Sequence, residues 1–266
     1  MSRYQNFLWG YSLTYSDEWT MQEDDDAVIL TAPVESYPKP RADEHQGRVM
    51  IRPEWNPEHV EVQKLWSLHI GKIAGVIGAK RLGAAPWQLG ALTGMEAELA
   101  MPKKDPLRLW TGILQHDRTI YHLLVTHHKL DRDWFEPQAT NIIRSLRVHA
   151  PAAVQDEELT FPLPPGYQSV NPLDIIEDID DASAWQAFTG SATVAALQAF
   201  YARELPSAGW NIVDYDPLPG PAEPGFARFA LQRSDVHLVL GILPIGDDSP
   251  PSTQAGTIML RQLPLS

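Results

Sequence analysis

The 266-residue chain has no cysteine, which excludes disulfide bonds, thiolate metal sites and a cysteine nucleophile. Its carboxyl-terminal half also has no lysine: residues 151–266 carry 4 arginines against 15 aspartates and glutamates, a balance of −11. Residues 1–150 carry 17 basic and 19 acidic side chains, so most of the net charge of −13 belongs to the second half. Binding a polyanion takes clustered cations that release phosphate counterions, so nucleic acid and anionic membrane are not expected as ligands of that half. Long apolar runs are missing too. The most apolar stretch, residues 70–77, is broken by Gly71, Lys72 and Gly75 and is far short of the ~20 residues that span a bilayer, so no membrane insertion is expected. The first residues lack a basic stretch followed by an apolar run, so no signal peptide is read and a cytoplasmic protein is expected. No nucleophile elbow, phosphate loop, dinucleotide fingerprint or H-E-x-x-H occurs, and no cofactor is expected. Catalytic groups can assemble from distant residues, so this weakens the case for an enzyme without closing it.

What is present is ordinary for a globular chain: 44% hydrophobic and 21% charged residues, over a length that suits two compact domains. Phe7, Trp9, Tyr11, Leu13 and Tyr15 alternate with smaller or polar residues, predicting one strand. After the acidic turn at 23–26, AVILTA predicts a second strand and RVMIR at 48–52 a third. Asn56 before Pro57 predicts a capped helix start, with Val62, Leu65, Trp66, Ile70, Ile73 and Ile77 along its buried face. Gly71, Gly75 and Gly78 suggest close backbone approach there, since interior glycine costs about 1 kcal/mol relative to alanine. Residues 91–101, 107–115 and 119–127 read as an antiparallel meander. A closing helix carries Phe135, Ala139, Ile142, Ile143 and Leu146, with Pro137 expected in its first turn.

Residues 149–158 are small and acidic and read as a linker, giving domains at 1–148 and 159–266. In the second domain, 183–189 predicts a strand and Thr193 caps a helix bearing Val194, Leu197, Phe200, Tyr201 and Leu205, ended by Pro206 and Gly209. Strands follow at 210–214, 226–232, 236–243 and 256–263. The fold class is therefore α+β, with two domains, each an antiparallel sheet with packed helices.

The opening FLWGYSLTYSDEW, with its aromatic strand, short turn and Trp19, and the closing FEPQATNIIRSLRV resemble the corresponding motifs of the PsbP-like superfamily. That superfamily includes PsbP, a Ran-binding import factor and DcrB-like bacterial adaptors. The resemblance covers residues 5–148 and implies an N-terminal α/β/α sandwich and non-catalytic work: binding a protein partner or supporting an assembly. The second half, with FYARELPSAGW, resembles an uncharacterised bacterial module; from its own strands and helix it is expected to form a smaller two-layer α/β domain.

Candidate chemistry is sparse. His127, His128, Asp131 and Asp133 cluster where a strand meets the closing helix, but neighbouring strand residues point to opposite faces, and either aspartate serves equally as a cap. No metal or catalytic residue is assigned from them. His116 with Asp117 is explained by turn chemistry, and His122 reads as a hydrogen-bonded sheet histidine. The acidic runs at 23–26 and 174–181 lack a calcium-loop pattern. Of nine tryptophans, Trp87, in the loop-like AAPWQLG, is the candidate partner-binding residue. The alternative for Trp87 is folding back onto the helix face of Trp66 and Ile73. The reading is a non-enzymatic protein-binding or adaptor protein with an unidentified partner. The competing class is a metal-dependent or other small-molecule enzyme with a site between the domains, built around His127, His128 and Asp131.

Overall fold

A computed structural model describes residues 1–33, 37, 46–102, 106–149, 161–218, 225–246 and 249–263. The chain divides into two compact units, one of Met1–Asn6 with Tyr11–Val148, the other of Phe7–Gly10 with His149–Ser266. Apart from His149, the expected linker 149–158 lies outside the described residues.

The first unit contains β1 (Ser2–Asn6), β2 (Tyr11–Tyr15), β3 (Thr20–Asp24), β4 (Ala27–Thr31), β5 (Arg48–Trp55), α1 (Val62–Ile77), β6 (Lys80–Arg81), β7 (Ala85–Leu89), β8 (Leu92–Ala100), β9 (Leu107–His116), β10 (Thr119–His128), α2 (Arg132–Arg144) and β11 (Arg147–Val148). Eight strands form one sheet in the order β3-β4-β5-β10-β9-β8-β6, with β7 also paired to β8; β1, β2 and β11 form a second. Every pairing is antiparallel. The hairpin turns after β3 and β9 place Asp25 and Asp117 at φ 51°, the positive φ that two-residue hairpin loops require.

The period-two pattern of β9 sends Leu109, Thr111 and Ile113 to one face and Trp110, Gly112 and Leu114 to the other. Helix α1 covers the first face, packing Trp66 and Ile70 on Ala97, Leu99, Leu109, Ile113 and Ile120. The small sheet and α2 cover part of the second. Tyr11 meets Tyr121 edge-on at 5.5 Å, and Trp19 stacks on Phe135 at 5.6 Å. This is an α/β/α sandwich.

Several boundaries differ from expectation. The first aromatic stretch is a hairpin, because Gly10 at φ 64° closes a turn between β1 and β2. Helix α1 starts at Val62, since Asn56 accepts from the Val60 amide and donates to the Val60 carbonyl, both at 2.9 Å, holding a turn instead of a cap. Gly71 and Gly75 face open space, not a close neighbour, and Gly78 ends the helix in the left-handed conformation. Pro137 lies inside α2, beyond its first turn.

In the second unit, β12 (Gln168–Val170), β13 (Trp185–Thr189), α3 (Val194–Ser207), β14 (Asn211–Asp216), β15 (Ala227–Arg233), β16 (Val236–Ile245) and β17 (Ala255–Leu263) give a six-stranded antiparallel sheet ordered β12-β13-β17-β16-β15-β14. Thr193 Oγ1 accepts from the Ala196 amide at 3.1 Å and caps α3. Val194, Leu197, Tyr201 and Leu205 of α3 join Phe229, Leu240 and Ile258 in one core. This unit has two layers. Among the described residues no helix is long and apolar enough to cross a membrane.

Candidate functional site

Trp87 lies in β7, an edge strand, not in a loop. Its register partner is Gly94, which in turn faces Leu114 of β9. Partners across a ladder share a face, so Trp87 stands on the side of the sheet away from α1, and does not reach Trp66 or Ile73. It meets Trp110 with ring centroids 5.3 Å apart and planes at 85°. Gly112 provides the floor for both rings: a Cβ there would lie 3.0 Å from Trp87 and 3.1 Å from Trp110. The Trp110 indole donates to Glu96 Oε2 at 3.1 Å, and Glu98 lies 3.6 Å from Arg108. Beside the rings, an open cleft of about 390 Å³ is lined by Leu82, Ala85, Glu96, Glu98 and Trp110 among others. Both rings are half-buried, so each keeps an accessible surface, and Glu96 and Glu98 border the cleft at Trp110.

The opposite face holds a polar chain that sequence reading did not assemble. On α1, His69 Nε2 lies 2.8 Å from Thr111 Oγ1 of β9, and its Nδ1 lies 3.1 Å from His122 Nδ1 of β10. His122 Nε2 lies 2.6 Å from Glu54 Oε2 of β5. Burial first, and the neighbouring His122 second, push His69 down from 6.5 to about 4. The His122 hydrogen bond holds the Glu54 carboxyl below its usual range, against the opposing effect of burial. The connectivity is that of a hydroxyl–imidazole–carboxylate relay. Thr111, however, is fully buried beneath α1, and no substrate reaches a nucleophile there. His122 is, as expected, a hydrogen-bonded sheet histidine.

The cluster at the end of β10 does not converge. His127 places Nδ1 2.9 Å from the His128 carbonyl and Nε2 3.3 Å from Glu136 Oε1, with its ring against Phe135. His128 Nδ1 accepts from the Leu130 amide at 3.2 Å, and Asp131 is buried at the start of α2. Among the described residues no group of three or more histidines, aspartates or glutamates is placed to hold a metal ion.

No known protein family matches the chain by sequence, and no curated protein does either. Its structure is similar to that of cyanobacterial PsbP (CyanoP) from Synechocystis, at 10% identity and a TM-score of 0.43, over 56% of this chain and 92% of that one. LpqN of Mycobacterium tuberculosis, described as involved in cell envelope biogenesis, aligns at 12% identity and 0.41 over 52% and 82%. The Ran-binding protein Mog1p of Saccharomyces cerevisiae aligns at 9% identity and 0.39 over 55% and 94%. Each of these three likenesses spans about half of this chain. At these identities the likeness concerns fold and not activity.

Proposed function

We propose that the chain is a non-enzymatic protein-binding or adaptor protein whose first unit engages a partner through the edge bearing Trp87 and Trp110. The observation that supports this is the pair of large rings held on a glycine floor at an open sheet edge, with carboxylates beside Trp110. Such aromatic anchors surrounded by polar groups carry most of the energy of protein interfaces. Pro86, in β7, has no amide to offer an incoming strand, so the partner docks through side chains and not by extending the sheet. Glu96 and Glu98 beside the Trp110 ring suit a cationic side chain with a long apolar stem. In this reading residues 1–148 and 159–266 are separate domains of a cytoplasmic protein.

Affinity capture from the native cell, comparing the wild type with Trp87→Ala, tests the proposal. Expected is a reproducible partner that the variant loses while its melting temperature stays within about 4 °C of the wild type. A partner retained by the variant, or lost only together with a large fall in stability, would count against the edge as an interface.

A further inference from the structure

The contacts joining Thr111, His69, His122 and Glu54 admit two arrangements of protons over the same heavy atoms. In the first, the Thr111 hydroxyl donates to His69 Nε2, His69 Nδ1–H donates to His122 Nδ1, and His122 Nε2–H donates to Glu54. Both rings are then neutral. In the second, Thr111 turns its proton to the Leu123 carbonyl, 2.9 Å away, and accepts from His69 Nε2–H. His69 Nδ1 then accepts from His122 Nδ1–H, and His122 still donates to Glu54. The second arrangement holds one proton more, on His122. A further proton would leave two Nδ1–H groups facing each other at 3.1 Å, with no acceptor between them and a positive charge on each ring.

We propose that His69 and His122 form a two-step proton receiver in the first unit: a first proton is taken up with α1 seated, by reversing the hydrogen-bond chain, and a second unseats α1 from the sheet. The groups facing the pair come from every element packed around it. Glu54 of β5 favours uptake, Lys72 of α1 opposes it, Arg52 of β5 acts on Glu54, and Thr111 of β9 supplies the rotating hydroxyl. The geometry makes the first proton tolerable: His122 is paired with a carboxylate, and its side chain is only 18% exposed while that of Glu54 is 64% exposed. The depressed pKa of His69 agrees with its resisting the second proton until the medium is well below neutral.

Ring-nitrogen NMR of the full chain across pH reads both steps. The first step predicts that as His122 becomes doubly protonated, His69 stays neutral and exchanges its proton from Nδ1 to Nε2. Glu54→Gln, at an exposed position, should keep the fold intact while weakening the tautomer exchange at His69. The second step predicts that α1 amide protection falls by about tenfold or more on acidification through the His69 titration, while α3 protection holds. His69→Gln should abolish that selective loss. Independent titration of the two rings with no tautomer exchange at His69 would overturn the first step. Unchanged α1 protection while His69 becomes charged would overturn the second.

Discussion

Helices α1 and α3 each lie on a sheet, and they are held in opposite ways. Helix α3 is buried nearly all round, including Val194, Leu197, Tyr201 and Leu205 at 0% exposure, and Thr193 caps its start. Helix α1 buries Trp66 and Ile70, leaves Leu68 66% and Val76 80% exposed, has no side-chain cap, and is pinned to the sheet through His69. A seat made of apolar burial is costly to mutate and indifferent to pH; a seat completed by titratable groups is the reverse. The second unit's helix is committed to its core, while the first unit retains a polar pin on one face and an aromatic edge on the other.

The largest expected effect that would sharpen this contrast is Leu197→Ala, which should cost about 2–5 kcal/mol in urea unfolding followed in the second unit. A cost below about 1 kcal/mol would mean that α3 is not seated by packing. Next, Gly112→Val should cost about 1–3 kcal/mol by overpacking the floor under Trp87 and Trp110. It should also shift tryptophan fluorescence to the red as the rings swing into water; an unchanged spectrum would show that the two rings are not held there.

Smaller effects separate the helix starts. Thr193→Ala should destabilise the second unit by about 1 kcal/mol, whereas Glu61→Ser, supplying a cap that α1 lacks, should stabilise the first by about 0.5–1 kcal/mol. A Thr193→Ala protein as stable as the wild type, or a Glu61→Ser protein no more stable than it, would break the distinction between capped and uncapped helices. The shallowest effect per pH step concerns the pin. His69 has a folded value below its ordinary one, so the unfolded chain binds its proton first on acidification, and first-unit stability falls from about pH 6.5 toward 4. The depressed Glu54 contributes in the same direction, its stabilisation being lost as pH falls through its folded value. Chemical denaturation at a series of pH values checks this, with α3 as the reference that should not follow.

Much of this architecture could be read in the residues. Alternation located β8, β9, β10, β15, β16 and β17 nearly to their ends, and Thr193 marked the start of α3. Strand β3, TMQED, escaped because it is an edge strand exposed along its whole length, so burial imposes no period on its sequence. Strand β7 escaped because Pro86 and its small neighbours carry turn chemistry, while its pairing comes from β8. The polar chain under α1 escaped for another reason. Glu54, His69, Thr111 and His122 come from four elements, and only sheet register and helix docking bring them together. The one local signal was His69 itself, an imidazole between the buried Trp66 and Ile70.

The account's central claim is that the first unit meets its partner through the β7–β8 edge. Hydrogen exchange of the full chain, free and with the captured partner bound, tests it most directly. The account predicts added protection in Ala85–Leu89 and Leu92–Ala100, with β14 and β15 of the second unit unchanged. Protection confined to the second unit, with the Trp87 edge exchanging as in the free chain, would contradict it.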